Sequence, residues 1–172
     1  MALKLPCAAL RKAAAHRLVT ADTIPSMKLE TFFPYRLAVL AEQVSLATAQ
    51  VYRERFALSR DEWRVLAALA HQGEIRAADV KDRTTLDKMQ VSRALARLED
   101  QGLVARAPDP DDGRASRVRL LPAGTALYRK IVPMVQAREE YLLSDLTPQE
   151  VEVFAAAIDK VEVRARQLTR QG

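Results

Sequence analysis

Between Leu86 and Leu98 the chain sets long hydrogen-bond donors around what reads as one helix. Val91, Ala94, Leu95 and Leu98 recur at three- and four-residue steps and form an inner stripe. Lys88, Gln90, Ser92, Arg93 and Arg97 project from the remaining surface. Such side chains suit the major groove of a duplex: arginine bonds guanine bidentately, glutamine pairs with adenine, and serine and lysine reach bases or phosphates. A little further on, Asp112-Gly113-Arg114 stands in a run of turn formers, with Arg117 and Arg119 close behind. That loop has the chemistry to enter a minor groove or grip phosphates. The plainer reading is a solvated helix face, diluted by Asp87, Glu99 and Asp100, followed by an ordinary Asp-Gly hairpin turn.

The elements around these residues decide which reading gains weight. Phe33, Leu37, Leu40, Val44, Ala47 and Val51 predict an amphipathic helix over residues 32–56, with Pro34 in its first turn. Ser59-Arg60-Asp61-Glu62 is a capping box opening a second helix through Trp63, Val65, Leu66 and Leu69, which stops near Gly73. A short helical piece spans residues 76–83, and a further helix from about Leu86 to Gln101 is closed by Gly102. The period then switches: residues 103–107 and 116–120 read as two short strands joined by Pro108-Asp109-Pro110-Asp111-Asp112-Gly113. Helical spacing resumes over residues 123–143, and a last helix opens at the capping box Thr147-Pro148-Gln149-Glu150 and runs to Leu168. A short helix crossing the backbone, a second helix in the groove and a hairpin beside them make a winged helix-turn-helix. The fold class expected is therefore mainly α with a small β-hairpin wing and a helical dimerisation region.

Composition narrows the function classes. The chain has 172 residues and one cysteine, Cys7, which excludes a disulfide framework or a cysteine metal cluster within one chain. Its two histidines, His16 and His71, are not in metal-ligand spacing, and no nucleophile–base set or phosphate loop is present. The expectation is no enzyme activity, no cofactor and no metal; no apolar run approaches the ~20 residues of a membrane span. The net charge of +5 hints at an acidic partner. Lys4, Arg11, Lys12, Arg17 and Lys28 against Asp22 give residues 1–28 most of that excess, leaving the rest nearly neutral. Residues 1–28 read as an N-terminal extension, with a short helix over Ala8–Val19 and with Met27 as an alternative start. Broken apolar stretches fit a signal peptide poorly; an organellar transit peptide also suits an acid-poor, arginine-containing start.

Asp112-Gly113-Arg114-Ala115-Ser116-Arg117-Val118-Arg119-Leu120-Leu121-Pro122-Ala123-Gly124 resembles the wing signature of the MarR family of bacterial transcription regulators. Residues 91–104 are similar to that family's recognition helix and its exit, and residues 58–66 to the opening of its second helix. The resemblance covers about residues 29–168. Leu121 departs from the family's frequent threonine, so a helix-capping hydroxyl is missing there. The resemblance implies a cytoplasmic bacterial homodimer on pseudo-palindromic double-stranded DNA. Helices at about 32–56 and 123–168 would interlock, and residues 59–121 would form the winged lobe of a domain spanning 29–172. It carries minor-groove contact to Arg114 and the orienting role to Asp112; Arg117 completes the wing's expected DNA contacts.

Many members of that family release DNA when a small aromatic acid binds between the dimer helices and the winged lobe. Tyr35, Arg36, Tyr52 and Trp63 are the candidate effector-binding residues, aromatic walls with one guanidinium for a carboxylate. Core and dimer packing accounts equally for those aromatics. Cys7 lies upstream of the first helix, which disfavours the thiol sensing known in some members. The expected function is a dimeric, effector-released repressor; the alternative is a winged-helix protein-interaction module that does not bind DNA.

Overall fold

The computed structural model describes residues 27–171, so the short helix expected at Ala8–Val19 and Cys7 lie outside the described residues. The chain divides into a smaller unit ending at Ala38 and a larger one beginning at Val39. A single 3₁₀ turn, Leu29–Thr31, precedes the helix α1 (Phe33–Phe56). Then follow α2 (Arg60–Gln72), β1 (Ile75–Arg76), a 3₁₀ helix (Ala77–Arg83), α3 (Lys88–Asp100), β2 (Val104–Pro108), β3 (Ser116–Leu120), α4 (Pro122–Leu143) and α5 (Pro148–Gln171). This is the expected mainly helical chain with a small β wing.

Both capping boxes read from the sequence form. Ser59 Oγ accepts from the Glu62 N–H at 3.2 Å, and the Ser59 N–H donates to Glu62 Oε2 at 2.7 Å. At α5 the Thr147 N–H donates to Glu150 Oε2 at 2.8 Å, and the Glu150 N–H returns to Thr147 Oγ1 at 3.3 Å. These bonds hold the Glu150 carboxyl below its ordinary value, the Thr147 N–H contributing most. Leu121, lacking a hydroxyl, caps α4 with no side-chain bond, as expected. Its N–H instead donates to the Leu103 carbonyl at 2.9 Å. One turn on, Gly124 sits against that same carbonyl, so closely that any Cβ would collide with it.

The sheet is antiparallel in the order β1-β3-β2, with Val118 paired to Ile75 on one side and Arg106 on the other. Two strands are as expected; β1 is an addition, too short to carry a pattern. The core gathers Val65, Leu66 and Leu69 of α2, Val91, Ala94, Leu95 and Leu98 of α3, and Val118 and Ile131. The inner stripe of α3 is thus buried as its spacing predicts. The long helices behave differently. Much of the expected α1 stripe is exposed, with Phe33 at 55% and Leu40 at 48%, and α5 buries no residue within the chain.

Helix α1 ends in a left-handed turn: the Leu58 N–H reaches back to the Tyr52 carbonyl, and Ala57 takes φ 53°. A Cβ in that region is strained by ~1–2 kcal/mol, which glycine avoids at some entropic cost. Ala57 is exposed and its Cβ fills no cavity. Ala57→Gly should therefore stabilise the chain by about 0.5–1 kcal/mol, measured as a rise in chemical-denaturation midpoint without a change in slope.

Candidate nucleic-acid interface

Helix α3 starts with a capping box that the sequence reading missed. Asp87 Oδ1 accepts from the Gln90 N–H at 2.8 Å, and the Asp87 N–H donates to Gln90 Oε1 at 2.9 Å. Gln90 was expected to pair with adenine, which needs its carbonyl and amide together. The carbonyl is committed to the helix start, so only the amide nitrogen is left to face outward. Lys88, Ser92 and Arg93 stand exposed on the same helix, as expected.

Arg97 has a second allegiance. Its Nη1 lies 3.7 Å from Glu62 Oε1, the carboxylate whose other oxygen caps α2. Glu62 is only 2% exposed, so Arg97 supplies the counter-charge that its burial demands. It leans toward α2 while its side chain stays 71% exposed among the outward donors of α3. Arg64 adds another tie, its Nη1 donating to Thr85 Oγ1 at 2.7 Å and so holding the turn before α3.

The wing is organised by Asp109, which the sequence reading treated only as a turn former. Its side chain is buried; Oδ2 accepts from Arg76 Nε at 2.8 Å, and Oδ1 accepts from the Asp111 N–H at 3.0 Å. Arg117 Nε lies 3.4 Å from the same Oδ2 and 3.9 Å from Glu74 Oε1. Arg117, expected on DNA, is half-buried and forms part of this cluster at the root of the wing. The reason is its register: it pairs with Arg76 of β1, so the two guanidiniums converge on one carboxylate. On β2, Arg106 Nε approaches Glu99 at 3.2 Å, fastening the sheet to α3.

Above that root the loop closes on itself. The Asp109 N–H donates to the Ala115 carbonyl at 3.0 Å, and the Ala115 N–H to the Asp112 carbonyl at 2.8 Å. Asp112 Oδ1 accepts from the Arg114 N–H at 3.0 Å, so it sets the backbone from which the exposed Arg114 projects. Gly113 is not in the left-handed region, so the tip is this longer loop rather than a two-residue Asp-Gly turn. Between α3 and the wing lies a cleft of about 250 Å³ lined by Lys88, Ser92, Arg114 and Ser116, with Arg76 and Lys81 beside them. Its lining, drawn entirely from described residues, carries no carboxylate.

The effector candidates differ in burial. Tyr52 is 2% exposed and its ring stacks on Trp63 at 5.6 Å, which stacks in turn on Tyr128 at 5.8 Å. Burial raises the Tyr52 phenol above its ordinary value. This is a packed aromatic ladder between α1, α2 and α4. Tyr35 and Arg36 belong to the first turn of α1, in the smaller unit, and both are exposed.

Residues 58–115 match the model of the MarR family. An uncharacterized HTH-type transcriptional regulator of Mycobacterium bovis is 30% identical over 131 residues, covering 71% of this chain and 90% of the relative. The chain belongs to the MarR family. Among solved structures, a MarR-family transcriptional regulator of Silicibacter pomeroyi superposes with a TM-score of 0.67 at 29% identity, over 78% of this chain and 90% of that one. BpsR of Bordetella bronchiseptica, whose DNA binding is regulated by 6-hydroxynicotinic acid, gives a TM-score of 0.73 at 25% identity, over 80% and 98%. These relatives are transcriptional regulators rather than enzymes. No helix among the described residues is long and apolar enough to cross a membrane.

The Asp111 N–H, with Arg76 and Arg117 adding to it, holds the Asp109 carboxyl below its ordinary value. A depressed folded-state pKa lends stability that is complete above the unfolded value, about 3.9, and is lost as the pH falls through the folded one. Asp109→Asn should therefore melt well below the wild type at pH 7. The gap should narrow steadily as thermal melts are taken below pH 4; a gap independent of pH would assign the stabilisation to packing alone.

Proposed function

We propose that this MarR-family regulator is a homodimer that binds pseudo-palindromic double-stranded DNA as a repressor and releases it to a small aromatic or phenolic acid. The observation that carries the reading is the acid-free cleft between α3 and the wing, with Lys88, Ser92 and Arg114 on its walls. A duplex presents phosphates on both sides of its grooves, so cations placed on a helix and on an adjacent loop can grip neighbouring turns of backbone. Lys88, Ser92, Arg93 and Arg97 are the side chains proposed to meet the major groove, with the Gln90 amide beside them, and Arg117 is proposed to reach phosphate from the root of the wing. Arg114, set by Asp112, is proposed to meet the minor groove.

The unpartnered apolar faces support the dimer. Val153, Phe154, Ile158, Val161 and Leu168 of α5 are exposed, and a groove of about 520 Å³ runs between α1, α4 and α5. Faces of that extent need a partner. The proposed division is a dimerisation region at about 32–56 and 123–168, with the winged lobe at 59–121 between them, all within 29–172 and acting in the cytoplasm. Residues 1–28 remain a proposed extension with no assigned role. The effector reading leans on BpsR, whose regulator is a hydroxylated aromatic acid. Trp63 is only partly buried against the core; Trp63, Tyr35, Arg36 and Tyr52 are to be replaced singly.

A mobility-shift titration against the DNA flanking the chain's own gene tests these points together. The complex should hold two chains per duplex and weaken steeply with salt. Arg114→Ala should lower affinity more than tenfold, and aromatic hydroxy acids should release the wild-type complex. A protein-interaction module would show no salt-dependent affinity for any duplex.

A further inference from the structure

From Ser59 to Leu121, Met89 is the only large apolar side chain left exposed, at 65%. Elsewhere the exposed apolar residues crowd the long helices, where a partner can cover them. Met89 has no such neighbours. It is the second residue of α3, and the helical repeat puts it on one face with Ser92, Arg93 and Ala96, all exposed. Lys88 and Ser92 of the same turn line the cationic cleft, so Met89 sits amid the side chains that would face a duplex. The start of a reading helix is the part that reaches base edges. At that start Gln90 has its carbonyl bonded to the Asp87 N–H.

An apolar side chain has one preferred partner in the major groove, the C5-methyl group of thymine, which no other standard base carries. Methionine is unbranched and flexible, with a polarizable thioether that adapts to such a small apolar target. We propose that Met89 is a specificity-determining residue that recognises a thymine methyl at the position of each half-site facing the first turn of α3. The inference rests on the DNA-binding reading and adds to it the chemistry of one base. Discrimination comes from burying a methyl against the thioether, and Lys88 and Arg93 hold the backbone around it.

Duplexes are first selected from a random pool by the full chain, and each thymine of the selected site is then replaced singly by deoxyuridine, which lacks only the methyl. Wild-type affinity should fall about fourfold at one thymine per half-site, the worth of a buried methyl group, and stay level at the others. Met89→Ala should bind the thymine and uracil versions of that position equally, while still showing salt-dependent duplex binding. Met89→Leu should keep a preference for thymine. Two outcomes overturn the inference alone: no thymine responds to loss of its methyl, or Met89→Ala retains the wild-type response. Failure to select any duplex overturns the DNA-binding reading and this inference together.

Discussion

Asp109 is cut off from solvent at the base of the wing, and two guanidiniums from different strands converge on one of its oxygens. A carboxylate loses much hydration on burial and is tolerated only with charge and hydrogen bonds in its place. Arg76 and the Asp111 N–H meet that demand, and in doing so they settle three things at once. They bring the two-residue β1 against β3, they fix where the hairpin strands part, and they set the loop from which Arg114 extends. Arg117 is held at the root by the same attraction. The wing is thus fixed electrostatically at its root, while Val104 and Val118 anchor its strands in the core.

The acids that dilute the basic residues in the overall composition turn out to be unevenly used. Glu62 faces Arg97, Glu99 faces Arg106, and Glu74 and Asp109 face Arg117. Carboxylates are spent pinning α3 and the sheet together, with cations rooted in the lobe as their partners. Lys88 and Arg114 line the cleft and make no ion pair among the described residues, and Arg93 stands exposed on the same helix. A nearly neutral body with segregated charge follows from that internal pairing. The excess carried by residues 1–28 has no part in it.

What could be read in advance was whatever is encoded locally. Ser59 with Glu62, Thr147 with Glu150, and the inner stripe of α3 are patterns of adjacent turns, and each forms as its spacing requires. So does the uncapped start at Leu121. The misses are of two kinds. Gln90 could have been recognised, since Asp87 stands three residues before it in capping-box spacing; the attraction of its amide for adenine obscured the humbler role. The bond of Arg76 to Asp109 could not, because it depends on β1, and two residues carry no periodicity. Arg97 and Glu62 are 35 positions apart and meet only once α2 and α3 pack. Tyr52 and Trp63, read as effector candidates or core, stack on each other, and Tyr128 on the far side of the indole completes a ladder no local pattern announces.

The cap that Gln90 lends to α3 has a cost in vocabulary. A reading helix has few side chains near its start, and each one spent on the helix itself is a letter it can no longer distinguish. In the proposed interface, with Gln90 half occupied, one lobe has a short word to recognise. Short words recur by chance throughout a genome. For such a protein the distance and symmetry between two words carry the missing information, and the rigidity of the helices joining two lobes becomes part of how a sequence is told from its near neighbours.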